Sequence, residues 1–280
     1  MVTKLKTEAA RRALKSRLTF GYALNSPCDV FELVARYGLS LRFTRADSLD
    51  GLYINDGLTG SINVAALRPA GMQRFTAAHE LGHFIFGHGA RLDKGLEGMT
   101  SDSTEEMIAD TFARHLLMPK SAVLRGFAEL GTEPKSASAA QYHAVAAWLG
   151  VGYTTLAQQC RWTLGLIGNQ KLHELTLIQP QRIKRSQVPS VHWRGRKELW
   201  PICPSWNGSR LHVQVGDVLT GLVDPPFDHF DVGDGFWIAR RPGDIEVEIT
   251  GHGRVQISIA REDYVGMYQY RYLEEEDEDA

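Results

Sequence analysis

The sequence predicts an α+β chain in three parts. These are a helical domain with a small sheet over residues 1–128, a helix-turn-helix-like segment over 129–168, and a mostly β domain over 169–280 that ends in an acidic tail. Three observations lead there. Apolar residues recur at helical spacing through most of the first 167 positions. Near residue 170 that spacing gives way to alternation with period two, broken by Gly and Pro turns. A length of 280 residues is enough for two or three domains with a sizeable core.

Residues 4–24 carry Ala9, Ala10, Ala13, Leu14 and Leu18 at helical spacing among basic side chains, an amphipathic helix. Pro27-Cys28-Asp29-Val30 opens a second helix that runs to about Tyr37 and stops at Gly38. Strand-like pieces follow at 39–43, 51–54 and 60–64, separated by the turn pairs Asp50-Gly51 and Asp56-Gly57. Residues 61–64 are a candidate sheet edge that would take an extended peptide as an added strand; an ordinary interior strand is the equal alternative.

The next stretch, Phe75-Thr76-Ala77-Ala78-His79-Glu80-Leu81-Gly82-His83, holds His-Glu-x-x-His. On a helix His79 and His83 stand one turn apart on one side, where two imidazoles can share a metal ion. Glu80 is placed to take a proton from a water in the open position of a three-ligand zinc site. Ala77, Ala78, Leu81, Phe84 and Ile85 supply the apolar surface that buries such a helix. His88 lies five residues after His83, one short of the spacing of a third His ligand of the metzincin type, so the third ligand is sought further on. Residues 89–102, rich in Gly and charge, read as a connection over the site.

Residues 103–119 read as a helix with a Ser103/Glu106 capping box and a stop at Pro119. Glu106 and Asp110 lie one turn apart on it. Glu106 is the candidate third zinc ligand, and Asp110 a hydrogen-bond acceptor for the far nitrogen of a ligand His. Glu105 is the alternative ligand, but it lacks an aligned Asp one turn on. His88 and His115 are candidates to steady the oxyanion of a tetrahedral intermediate.

Taken together, Arg74-Phe75-Thr76-x-Ala78-His79-Glu80-x-Gly82-His83, Glu106-x-x-Ala109-Asp110-x-Phe112-Ala113 and Leu116-Leu117-Met118-Pro119 resemble the ImmA/IrrE metallopeptidases, over roughly residues 20–167. The resemblance implies a zincin-like peptidase domain of gluzincin type, with Zn2+ held by His79, His83 and Glu106 and with Glu80 as catalytic base. Where the family usually has Asn, this chain has Asp110, which brings the helix closer to the Glu-x-x-x-Asp arrangement of thermolysin-like enzymes. It also implies a narrow substrate, a helix-turn-helix transcriptional repressor whose cleavage switches on genes for stress response, mobile elements or bacterial defence. IrrE-like members are linked to DNA damage and carry a C-terminal sensor domain.

After a helix at 121–130, residues 142–149 and 153–162 flank Gly150-Val151-Gly152 as a helix-turn-helix pattern, with Thr154, Thr155, Gln158, Gln159 and Arg161 as outward polar residues. Packing or protein docking is the competing use of these helices. Candidate strands lie at 174–178, 211–215, 218–223, 235–239, 245–250, 255–259 and 264–272. A basic stretch precedes most of them: Arg182, Lys184, Arg185, Arg194, Arg196 and Lys197, interleaved with Trp193, Trp200 and Trp206. Such a mixture suits single-stranded DNA, with phosphates paired to cations and bases stacked on exposed indoles; core tryptophans beside a solvated loop are the alternative.

Composition bounds the rest. Hydrophobic content of 43% and charged content of 23% fit an ordinary globular chain, with no apolar run of membrane-spanning length and no signal-peptide pattern. Cys28, Cys160 and Cys203 are odd in number and widely spaced, which points to free thiols and a cytoplasmic location. Cys203, in Pro201-Ile202-Cys203-Pro204, is a candidate inhibitory thiolate for the fourth zinc position; an idle thiol is the alternative. Net charge is −2, and without the six acids at 274–279 it would be +4. The expectation is a cytoplasmic zinc endopeptidase acting on a repressor protein, with single-stranded DNA as a candidate activator. The alternative is a non-enzymatic nucleic-acid-binding regulator whose zinc is structural, which would need a fourth protein ligand.

Overall fold

The computed structural model describes residues 2–45, 51–55, 60–88, 104–251 and 253–273. The expected connection at 89–102, the Ser103 cap, the Asp50 and Asp56-Gly57 turns and the acidic tail lie outside them.

The α+β expectation is met. Helix α1 (Val2–Thr19) is followed by α2 (Val30–Arg36), β1 (Ser40–Thr44), β2 (Gly51–Asn55) and β3 (Gly60–Ala65). Two long helices come next, α3 (Ala70–Phe86) and α4 (Thr104–Leu117). Then α5 (Lys120–Glu129), α6 (Ala139–Leu149) and α7 (Tyr153–Gln158) run into a π turn at Gln159–Thr163. The α6–α7 pair is the expected helix-turn-helix, opened by a Ser138/Gln141 capping box and closed by Gly150 in the left-handed region.

The first sheet has the order β12-β1-β3-β2, where β12 is Gly266–Met267 from the far end of the chain. β1 and β3 are parallel, while β2 and β12 run antiparallel to their neighbours. β3 is therefore interior, which corrects the edge expected at 61–64; among the described residues the edge beside α3 is β2. The apolar run Ile62, Val64, Ala65 is buried because β3 is flanked by strands on both sides.

The strand expected at 174–178 is helix instead. α8 (Asn169–Thr176) and α9 (Pro180–Gln187) occupy this stretch. Leu172 and Leu175 recur at helical spacing, and Pro180 sits at the first turn of α9, where its missing N–H costs nothing. Strands begin at β4 (Leu199–Pro201), followed by β5 (Arg210–Gln214), β6 (Val218–Thr220), β7 (Leu222–Val223), β8 (Phe230–Val232), β9 (Trp237–Ala239), β10 (Gly243–Ile249) and β11 (Arg254–Ala260). They form two four-stranded sheets, β5-β11-β10-β7 and β4-β6-β9-β8. The expected strand at 218–223 is split at Gly221, whose φ of +80 turns the chain. The one expected at 264–272 shrinks to β12 plus a 3-10 turn at Tyr268–Tyr270.

One core cluster joins the parts. It includes Phe31 and Val34 of α2, Leu81 of α3, Phe112 and Leu116 of α4, Tyr142 of α6 and Val255 and Ile257 of β11. The basic character of α1 also has a structural use. Arg12 Nη1 donates to Ile85 O at the end of α3 (3.0 Å), and Arg17 Nη1 donates to Leu116 O at the end of α4 (2.6 Å). These cations satisfy orphan carbonyls and face the negative ends of both helix dipoles. Arg17 is fully buried and also donates to Ala23 O and Ser26 O.

A second polar group ties β5 to the N-terminal helices. Asp29 caps α2 by accepting from the N–H groups of Phe31 and Glu32, and its other oxygen takes His212 Nε2–H at 2.7 Å. Tyr272 Oη lies 2.6 Å from His212 Nδ1 on the other side of the ring. Arg74 of α3 donates to His212 O at 2.7 Å. Burial raises the Asp29 carboxyl, but the His212 contact and the Glu32 N–H outweigh it and hold the group at about 2, below its ordinary 3.8. A folded value below the unfolded one means stability present above pH 4 and lost as pH falls through 2.

Two outcomes follow from these buried groups. Arg17→Met should lower unfolding free energy by about 3 kcal/mol, since three carbonyls lose a charged donor; the urea midpoint measures it. Asp29→Asn should flatten the loss of stability between pH 4 and pH 2, removing about 2 kcal/mol of it, as read from urea unfolding across that range.

Candidate metal centre

The sequence places His79 and His83 one turn apart on α3, and packing brings α4 against that face. Gly82 makes this possible. A Cβ there would stand 3.1 Å from Ala109 Cα and 3.2 Å from Phe112 Cδ1. With hydrogen at Gly82 and Ala at 109, the two helices close up and Glu106 reaches both imidazoles.

His79 Nε2 is 3.0 Å from Glu106 Oε2 and 3.0 Å from His83 Nε2, and His83 Nε2 is 3.6 Å from Glu106 Oε1. Ligand atoms around a tetrahedral zinc at ordinary bond lengths lie about 3.3 Å apart, so this spacing and two nitrogens with one carboxylate oxygen suit such an ion. Among the described residues, His79, His83 and Glu106 are the group of three or more His, Cys, Asp or Glu side chains whose ligand atoms converge enough to hold a metal. Glu105, the alternative ligand, is exposed and outside this group.

The far sides of the imidazoles are also held. His79 Nδ1 is 3.2 Å from Asp110 Oδ1, as the one-turn spacing from Glu106 anticipates. Nδ1–H donating to this carboxylate leaves the Nε2 lone pair facing Glu106, the tautomer a ligand needs. His83 Nδ1 is 3.0 Å from His88 Nδ1, so His88 acts on the back of a ligand and not at the converging atoms. Burial opposes charge on His79, but the hydrogen bonds to Asp110 and Glu106 prevail and raise it to about 9. A metal bound at Nε2 would displace that proton.

Glu80 faces the sheet. Its Oε2 accepts from Tyr53 N–H of the edge strand β2 at 3.0 Å. Gly51, at the start of β2, permits the approach: a Cβ there would stand 2.2 Å from Thr76 Cγ2 and 3.2 Å from Glu80 Oε1. This contact and the His83–His88 pair were not read from the sequence. Gly51, which lets β2 approach Glu80, and Gly87, which turns the chain after α3, are the signals that mark them.

The remaining candidates are placed elsewhere. His115 lies nine residues along α4 from Glu106, about 13 Å of helix rise, half-buried and depressed by burial. Cys203 is outside the converging group; its Sγ is 3.0 Å from Ser205 Oγ, beside Gly126, Leu130 and Val145 of α5 and α6. Cys28 and Cys160 are buried, and burial pushes both thiols up to about 12. Gln159, expected to face outward, is buried and donates to Met118 O.

In the basic stretch, Arg182, Arg185 and Arg194 are exposed. Lys184 is buried against Glu198 at 2.6 Å, Arg196 pairs with Asp263, and Lys197 is half-buried. The exposed indoles expected here are instead core. Trp193, Trp200 and Trp206 are 6%, 3% and 2% exposed. Trp193 N–H donates to Val188 O and Trp200 N–H to Asp217, because this segment enters β4 between packed layers.

Among the described residues, no helix is long and apolar enough to cross a membrane. No curated protein matches the chain. Among solved structures, a Mycobacterium tuberculosis transcriptional regulator shares 20% identity over 56% of this chain and 46% of its own, with a TM-score of 0.36. The chain thus spans less than half of that relative, and a likeness of this degree carries no argument. Residues 34–161, which contain α3 and α4 with all three converging side chains, match the family described as Peptidase_M78, IrrE N-terminal-like domain. That segment carries the ImmA/IrrE motifs, and the match supports the family resemblance over those residues.

Proposed function

We propose that this protein is a zinc-dependent endopeptidase that cuts a helix-turn-helix transcriptional repressor. The observation that carries the reading is the convergence of His79 Nε2, His83 Nε2 and a Glu106 carboxylate within one ion's reach, with Glu80 next in sequence to the first of them. The peptidase family matched over residues 34–161 supports the same chemistry.

A zinc ion held there would polarise the scissile carbonyl and acidify water. Glu80 takes the proton of the attacking water and passes it to the departing amine. Tyr53 N–H holds the Glu80 carboxylate in place, and Asp110 and His88 hold the two imidazoles. Among the described residues no strand pairs with the outer side of β2, and Tyr53 N–H of that strand meets Glu80, so a substrate strand added at this edge would run past Glu80. Edge addition selects extended backbone, which suits cleavage of a linker in a folded repressor better than general digestion.

The resemblance to IrrE-like proteins supports a role in stress, DNA damage or defence, with the C-terminal part as sensor in a cytoplasmic setting. Single-stranded DNA is the proposed activator, acting through Arg182, Arg185 and Arg194 on the exposed surface, with Lys184, Arg196 and Lys197 behind them.

Glu80→Gln, assayed with zinc and a helix-turn-helix repressor encoded beside it, should lower cleavage at least a thousandfold while bound zinc stays at one ion per chain. Equal cleavage by variant and parent would sink the peptidase reading in favour of a binding protein with structural zinc. Gly82→Ala should weaken zinc binding about tenfold and cost about 1–3 kcal/mol of stability, because α4 must give way to the new methyl. Competition with a zinc-selective chelator measures the first effect and thermal unfolding the second.

A further inference from the structure

A cleft of about 650 Å³ lies between the start of α3, the α6–α7 turn and the segment leading into β4. None of the converging metal-site residues lines it. Its volume is in the range of sites for small organic ligands, about 300–1,000 Å³.

The lining of the cleft is mixed in chemistry. Met72 and Phe75 of α3 and the remaining accessible edges of Trp193 and Trp200 are its apolar part. Lys184, Arg194, Arg196 and Lys197 are its cationic part. Lys184 is neutralised by Glu198 and Arg196 by Asp263, whereas Arg194 and Lys197 have no carboxylate partner among the described residues. The third feature is His143, 6% exposed, which lines the cleft and whose Nδ1 has no hydrogen-bond partner among the described residues. Burial and the nearby Lys184 charge lower it to about 4, so at neutral pH the ring is uncharged and offers one donor and one acceptor.

An occupant that satisfies all three features has a flat apolar body, a polar ring edge and an anionic end. A nucleotide has this combination. We propose that the cleft binds a nucleotide unit, with its base against Met72, Phe75 and His143 and its phosphate at Arg194 and Lys197. A free mononucleotide and the phosphorylated end of a strand present the same chemistry. The site stands independently of the peptidase reading, since it shares no residue with the metal centre.

Isothermal titration of the full zinc-loaded chain with AMP, GMP and a 5′-phosphorylated trinucleotide tests it, beside adenosine, guanosine and ribose 5-phosphate. Submillimolar binding of a mononucleotide or of the trinucleotide is expected, with the isolated nucleosides and the sugar phosphate at least tenfold weaker. Binding of the trinucleotide alone assigns the site to strand ends; binding of a mononucleotide assigns it to a free ligand. The double variant Arg194→Glu/Lys197→Glu should weaken binding at least tenfold with an unchanged melting temperature. Thr154→Trp, at an exposed position lining the cleft, should do the same by filling it and serves if the double variant folds poorly. Absence of binding by every nucleotide, or undiminished binding by folded variants, overturns the proposal.

Discussion

The candidate metal centre depends on how closely two helices approach. His79 and His83 are fixed relative to each other by helix geometry alone, but Glu106 comes from a separate helix and must arrive within about a bond length of the right place. The contact of Gly82 with Ala109 sets that distance. A larger residue at either position would widen the gap, and the carboxylate would reach one imidazole or neither. α1 braces the same pair from behind by donating to the terminal carbonyls of both helices. Much of the N-terminal structure can be understood as support for one interhelical distance.

The interactions holding the C-terminal strands to this unit are of another kind. Asp29, His212, Tyr272 and Arg74 form a hydrogen-bonded polar group, and the buried Arg271 lies beside it. Such groups cost desolvation and contribute little net stability, but they tolerate few alternative arrangements. Arg271 also lies over the Phe43 ring at 4.0 Å and donates to Gln73 of α3. Of the two cations, Arg74 belongs to the helix that carries His79 and His83, and Arg271 bonds to it. A shift of β5 would be felt at the start of α3 before it reached the imidazoles.

Legibility in the sequence followed the range of the interactions. The His79, Glu80 and His83 spacing, the Glu106–Asp110 pair, the α6–α7 turn and the alternating strands β5, β10 and β11 are set within one or two turns or a few strand residues. Those were legible. α8 and α9 were not, because few apolar residues over 169–187 reveal a period. The edge position of β2 and the interior position of β3 depend on the parallel pairing of β1 with β3, a contact between strands separated in sequence by β2. The tryptophans of the basic stretch have the composition of a stacking surface, and only the packing of β4 against β6 shows that they are core. His88 was considered at the front of the metal, whereas the left-handed turn at Gly87 carries it to the back of His83.

The pairing of β12 with β1 has a consequence for synthesis. Arg42 and Phe43 lie opposite Met267 and Gly266, so the sheet beside the metal helix gains its outer strand only when nearly all of the described chain has left the ribosome. The His79-bearing helix and its α4 partner emerge far earlier. A nascent chain therefore carries the chemical residues for a long interval before their supporting sheet is finished. The sheet beside the candidate site therefore stays unfinished until β12 has been made, long after both helices that form the site.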